Sequence, residues 1–201
     1  MDERLEDEAR WRKFMAITAG QPAWPPLVRA AGLFEKPGDA LDVGAGAGRD
    51  TAYLLEHGWR VTAVDSSPSA AEALARFANP KLEIVLVRAQ DFVPATYDLV
   101  NAQFSLPFIP PADFAGTVER LQRSVRPNGV MAVTFFGPHD GWNTPGSNLT
   151  FSTRAGIERL FNGWEVVALT EEDDRHGRTA DGSPKHWHVF QLIARRRHQP
   201  D

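Results

Sequence analysis

Apolar positions along the chain fall into short runs separated by stretches of helical spacing. Five runs bounded by turn residues read as strands: Ala40 to Val43, Arg60 to Val64, Leu82 to Val87, Tyr97 to Gln103 and Val130 to Phe136. Between them, Arg49 to His57 turns Leu54 and Leu55 to one side and stops at Gly58. Ser67-Pro68 opens a second helix that runs to about Phe77. A third spans Ala112 to Val125, ahead of a predicted turn at Pro127-Asn128-Gly129. The segment before the first strand is predicted helical, with Leu5, Trp11, Phe14 and Met15 on one face. It breaks at Gly20 and Pro22, restarts at Pro25-Pro26 as far as Ala31, and meets a turn at Pro37-Gly38. Beyond the fifth strand, Ser152 is read as the cap of a helix ending near Asn162-Gly163. Trp164 to Leu169 and Trp187 to Ala194 are then two last strands.

Strands separated by helices pair in parallel, because each crossover needs a helix to return the chain. The last two strands are joined by Glu171 to Lys185, which is charged and lacks helical spacing, so they are expected to close antiparallel. The pattern therefore predicts an α/β, doubly wound sheet with one reversed strand.

Composition narrows the function classes. The 201 residues are 42% hydrophobic and 24% charged, as expected for one globular domain: an N-terminal helical cap over 1–36 and a core sheet over 37–196. The absence of cysteine excludes disulfide frameworks, thiolate metal sites and thiol catalysis. A formal charge of −4 argues against a nucleic-acid surface. No apolar run approaches the ~20 residues of a membrane helix. The acidic Met1 to Glu8 is unlike a signal peptide, so a soluble cytoplasmic protein is expected. Oligomeric state is left open.

The candidate chemistry begins at Gly44-Ala45-Gly46-Ala47-Gly48, directly after the first strand. In a doubly wound sheet, ligands sit beyond the carboxyl ends of the strands where strand order reverses, and the first loop lies there. Glycines let the backbone turn sharply and let a ligand approach closely. Asp65, at the end of the second strand, is placed to accept hydrogen bonds from two vicinal ribose hydroxyls; a helix-capping role competes with that reading. The dinucleotide fingerprint is G-x-G-x-x-G after an apolar strand, whereas this loop is G-x-G-x-G and its strand carries Asp42. An NAD-dependent oxidoreductase is thus the disfavoured alternative. An acid beside the glycines suits a ligand with an ammonium group, as in the amino-acid tail of S-adenosylmethionine.

Residues 40–50 (ALDVGAGAGRD) and 61–65 (VTAVD) resemble motifs one and two of the class I S-adenosylmethionine-dependent methyltransferases. Residues 97–108 (YDLVNAQFSLPF) and 185–190 (KHWHVF) are similar to a bacterial small-molecule subgroup related to tellurite-resistance-type enzymes. The resemblance covers roughly residues 11 to 196. It implies the Rossmann-like strand order 3-2-1-4-5-7-6 with strand 7 antiparallel, and S-adenosylmethionine as cofactor, leaving S-adenosylhomocysteine as product. By the same resemblance Gly44, Gly46 and Gly48 would pack on the methionine and ribose, and Asp42 would orient the amino group. Asp65, with Ser66 beside it, would hold the ribose. Gln90, Asp91 and Phe92 would lie at the adenine, and Gln103 and Phe104 beside the transferred methyl.

Methyl transfer from a sulfonium is an in-line displacement in which the protein mainly aligns the nucleophile and excludes water. A general base is needed only where the acceptor arrives protonated. His186 and His188 are the candidates, because a reversed last strand begins at the catalytic edge; they share one face, with Lys185 and Trp187 on the other. A metal reading of His186-x-His188 would need further ligands such as His139 and Asp140. Histidines bonded to the sheet edge and loops are the favoured reading, and no metal is expected. Trp11, Phe14, Phe108, His139, Trp142 and Trp187 are candidate substrate contacts, with Phe104, Phe108 and Phe136 also plausible as plain core. The segments Gly137 to Trp142 and Glu171 to Gly182 are read as lids. The function expected is methylation of a small-molecule substrate, with a non-catalytic cofactor-binding regulator as a further alternative.

Overall fold

The computed structural model describes residues 3–197, with side chains from Glu8 onward. Leu5, the acidic start of the chain and the end of the span 1–201 therefore fall wholly or partly outside the described residues. Two helices, α1 (Glu3–Thr18) and α2 (Pro25–Ala31), precede the sheet. Then come β1 (Asp39–Val43), α3 (Arg49–Glu56), β2 (Arg60–Asp65), α4 (Pro68–Ala75), β3 (Leu82–Leu86) and β4 (Tyr97–Ala102). A 3-10 turn (Leu106–Phe108) leads into α5 (Pro111–Ser124), β5 (Val125–Phe136), α6 (Arg154–Leu160), β6 (Glu165–Asp174) and β7 (Trp187–Arg195). The strands form one seven-stranded sheet of order β3-β2-β1-β4-β5-β7-β6. Its first five members pair in parallel, while β7 runs antiparallel to both β5 and β6.

Side chains alternate between the faces of each strand, and the core divides accordingly. Leu41, Val43, Val100, Met131 and Val133 pack on one side with α5 and α6. Ala40, Leu99, Val130 and Ala132 pack on the other with α2 and α3. Strand order reverses between β1 and β4, which opens the crevice where the glycine loop lies.

Four local expectations need correction. Pro127-Asn128-Gly129 is a bulge inside β5: Tyr97 pairs with Val125 while Leu99 pairs with Val130. Asn128 takes the left-handed φ of 65°, and its N–H donates to Arg196 O, so the extra residues are satisfied by the end of β7. Second, β6 continues through the charged run to Asp174, which pairs with Trp187. Glu171 to Asp174 is therefore sheet, not lid. Third, α6 is capped by Thr153, whose hydroxyl accepts from Gly156 N–H at 3.1 Å, rather than by Ser152. Fourth, on α1 Met15 is buried but Phe14 is 42% exposed, so the expected shared apolar face does not hold.

Candidate active site

The loop after β1 is built as glycine chemistry requires. Gly44, Gly46 and Gly48 have φ of 72°, 53° and 81°, where any other residue is strained. A Cβ on Gly44 would stand 2.3 Å from Ser105 Cβ, and one on Gly48 would stand 2.5 Å from the Phe77 ring. Gly44 N–H and Ala45 N–H both donate to Val64 O, which seats the loop on the end of β2. Gly48 is the N-cap of α3, and among the described residues no side-chain cap bond serves that helix start.

Asp65 joins loop to strand. One carboxylate oxygen accepts from Gly46 N–H at 2.9 Å and the other from Ser67 N–H at 2.9 Å. Burial pushes its pKa upward, against the pull of those amides. Glu8 of α1 accepts from Ser67 Oγ at 2.8 Å and from Ser69 N–H at 3.1 Å, so a helix distant in sequence caps α4 beside this carboxylate. Ser67 holds the N-cap position as expected, yet its hydroxyl serves Glu8 instead of its own helix.

Beneath the loop lies a buried polar chain. Asp42 accepts from Thr51 Oγ1 at 2.6 Å and Asn101 Nδ2 at 2.9 Å; Asp50 accepts from the same Asn101 Nδ2 at 2.8 Å and from Trp24 N–H at 2.9 Å. Gln103 Nε2 donates to Asn101 Oδ1, and Thr134 Oγ1 to Gln103 Oε1, which carries the chain across β4 to β5. Asp42 is 2% exposed, so it underlies the loop rather than lining its surface. Burial first, and the facing Asp50 carboxylate second, push its pKa up to about 7.

A raised carboxylate pKa has a definite sign. The folded chain holds a proton more tightly than the unfolded one, so stability falls as pH rises from the ordinary carboxylate range through about 7. Asp42→Asn keeps the acceptor for Asn101 and removes the charge. It is expected to raise stability at pH 8 by roughly 1–2 kcal/mol, or about 2–8 °C in melting temperature. Melts of both proteins from pH 5 to 8 check this: their difference should grow with pH, and a constant or inverted difference contradicts the assignment.

An aromatic wall completes the crevice. Phe104, two residues past β4, takes φ of 52°, a sparsely populated conformation for a bulky residue that costs ~1–3 kcal/mol. Its ring lies 4.5 Å from Trp24 and 5.9 Å from Trp187. Phe136 stands 5.7 Å from Trp142 and 5.9 Å from Trp187, and Trp11 of α1 reaches Phe108 at 5.2 Å. The structure thus brings Trp11, Phe104, Phe108, Trp142 and Trp187 together, with Phe14 at the rim against Trp11.

It does not bring all the candidates there. His186 and His188 point to the opposite face of β7, where they meet Asp173 and Glu171, and His139 joins them. Asp140 is not with that group. It accepts from Lys185 Nζ at 2.8 Å, and both side chains are buried. The Lys185 ammonium lies 3.2 Å from the Trp187 ring centroid, 3.9 Å from Trp142 and 4.8 Å from Phe136. Burial pushes its pKa down to about 8. A lysine, not a histidine, is the basic group among the rings. Past β3, Asp91 pairs with Arg88, Gln90 O accepts from Arg120, and Phe92 packs against the core. Ser66 continues from Asp65, contributing a backbone hydrogen bond toward its carboxylate.

Sequence reasoning missed Glu8, Trp24, Asp50 and the Lys185–Asp140 pair. The only local signal was Arg49-Asp50 at the helix start; Arg49 stacks on Trp24 at 4.1 Å.

Residues 40–129 match the family described as Methyltransferase domain, a span that contains the glycine loop, Asp65 and Phe104. That span is thus similar to a methyltransferase domain. Among curated relatives, the chain is 36% identical over 133 residues to trans-aconitate 2-methyltransferase of Enterobacter sp. (strain 638), covering 62% of this chain and 50% of that protein. The chain thus spans about half the length of that relative. Among solved structures, TehB from Haemophilus influenzae superposes with a TM-score of 0.76 at 17% identity, over 87% of this chain and 63% of that one. The N-methyltransferase NodS from Bradyrhizobium japonicum WM9, solved with S-adenosyl-L-homocysteine, gives 0.72 at 16% identity over 98% and 100%. These likenesses establish the methyltransferase fold. Among the described residues, no helix is long and apolar enough to cross a membrane.

Proposed function

We propose that the chain transfers a methyl group from S-adenosylmethionine to a small-molecule acceptor. The observation that carries this reading is the clasp at Asp65, whose carboxylate is held by the amides of Gly46 and Ser67 at the mouth of the crevice. The residues fit the cofactor on two further counts. Among the described residues Ser105 Oγ, buried beside Gly44, has no hydrogen-bond partner, as a hydroxyl awaiting a polar ligand would be. Gly44 and Gly48 pack tightly on Ser105 and Phe77, whereas a Cβ on Gly46 would meet only Gly44 O at 3.9 Å, so open space lies beside the middle glycine. When bound, S-adenosylmethionine supplies an electrophilic methyl on a good leaving group.

The chain's own residues do the rest. Asp65 would receive the ribose hydroxyls, and the amides at the start of α3 would face the carboxylate of the methionine tail. Asp42, one layer below, supplies negative potential toward the ammonium through Thr51 and Asn101. Phe104, strained at the end of β4, would abut the methyl, and Gln103 fixes that strand end through Asn101 and Thr134. Trp11, Phe108, Trp142 and Trp187 would exclude water and grip the body of the acceptor. Alignment of this kind is worth up to ~7–11 kcal/mol. The paired Lys185 leaves the wall without a net charge of its own there, which suits an acceptor bound by its apolar or aromatic surface.

The test is transfer of labelled methyl from S-adenosylmethionine to a panel of amine, thiol, hydroxyl and carboxylate metabolites. Label is expected in a low-mass product, with S-adenosylhomocysteine released in equal amount. A chain that binds the cofactor with full affinity yet labels no small molecule, under conditions where it labels protein or RNA, would overturn the acceptor class.

A further inference from the structure

On the face of the sheet away from the aromatic wall, β6 and β7 present a cluster that methyl transfer does not use. In their antiparallel register Asp173 stands directly opposite His188. Side chains two residues along share a face, so Glu171 joins Asp173, and His186 joins His188. The loop after β5 adds a third imidazole. Gly137 lets that loop pass over His188, since a Cβ there would stand 2.3 Å from His188 Nδ1, and the His139 ring stacks on His188 at 4.7 Å.

Hydrogen bonds link these groups. His139 N–H donates to His188 Nδ1 at 3.0 Å, and His188 Nε2 stands 3.1 Å from Glu171 Oε1; an ion on His188 would take the amide's place at Nδ1 and leave Nε2–H to donate to Glu171. The Asp173 carboxylate meets His139 Nδ1 at 2.8 Å through one oxygen and His186 Nε2 through the other. One ligand atom from each of His139, Asp173 and His188 lies within 4.8 Å of the others. An ion bound at ~2.0–2.2 Å to each would draw them together by about an ångström.

We infer that His139, Asp173 and His188 form a binding site for a divalent first-row transition ion, zinc before others, with His186 and Glu171 as outer partners. Two imidazoles and a carboxylate suit zinc, nickel or cobalt and disfavour magnesium and calcium, which take oxygen ligands. Glu171 and Asp173 supply the negative charge that neutral imidazoles lack. The site is separate from the methyl-transfer crevice but shares its scaffold. The segment that carries His139 also carries Asp140 and Trp142, so a bound ion would fasten that segment to β6 and β7 and hold the wall in place.

The experiment is calorimetric titration of zinc into the metal-stripped full chain, beside His139→Ala, Asp173→Asn and, as a control outside the cluster, His176→Ala. His139 and Asp173 are exposed, so their variants should fold, which circular dichroism verifies. One saturable event per chain is expected. It should weaken in His139→Ala and in Asp173→Asn by at least the roughly 10–100-fold that loss of even an outer partner causes. It should be unchanged in His176→Ala. Loading with cobalt should give visible absorption bands that Asp173→Asn alters. No saturable event, or the same isotherm in all four proteins, overturns the site. Neither result depends on S-adenosylmethionine, so its failure leaves the methyltransferase reading standing.

Discussion

Asp140→Ala should lower the melting temperature by about 6–20 °C, equivalent to about 3–5 kcal/mol. The Lys185 and Asp140 side chains are 2% and 0% exposed and joined at 2.8 Å, so removing the carboxylate strands an ammonium away from water. The three rings around Lys185 Nζ compensate only partly, since cation–π attraction is worth up to ~2 kcal/mol when desolvated. The variant also loses the acceptor for Trp142 N–H, at 3.0 Å from Asp140 Oδ1, which loosens the outer part of the wall. The paired change Asp140→Leu with Lys185→Met should recover most of the loss, because two apolar groups of similar volume carry no desolvation cost. Thermal melts of the single and double variants check this. A single variant that melts within a degree or two of the parent would mean that the ammonium reaches water and that the buried geometry is wrong.

The same pair shows where sequence reading stops. The glycine loop and Asp65 were legible because each adjoins a strand end, and strand ends follow from apolar runs and turn residues. The reversed last strand was legible from the missing helical spacing between Leu169 and Trp187. Lys185 and Asp140 lie far apart in sequence, as do Glu8 and Ser67, and Asp42 and Asn101. Such pairings depend on which strands become neighbours, and no local pattern records them. Two misreadings have a narrower cause. Glu171 to Asp174 lacks apolar alternation because one face of β6 carries carboxylates toward histidines, so a paired strand looks like a solvated loop. Pro127-Asn128-Gly129 has the composition of a turn, and a bulge shares its need for a left-handed residue. Period-two reasoning did separate Lys185 and Trp187 from His186 and His188. It could not say that the lysine faces the rings while the histidines gather at Asp173.

The second large effect is expected at Asp65. Its carboxylate already holds Gly46 and Ser67, and on the proposed reading it would accept two ribose hydroxyls as well. Hydrogen bonds to a charged group contribute ~1.5–3 kcal/mol each, so losing both weakens binding by at least about 100-fold. Burial raises the Asp65 pKa, so the free protein bears a cost for keeping this group ionised, which offsets part of the loss of its bonds to Gly46 and Ser67; the variant should melt lower than the parent but still fold. The decisive measurement is calorimetric titration of S-adenosylmethionine, and separately of NAD, into the parent chain and Asp65→Ala. The account predicts saturable binding of S-adenosylmethionine alone by the parent, and a loss of about 100-fold or more in a variant that still melts cooperatively. Equal affinity in the two proteins, or a preference of the parent for NAD, would contradict it.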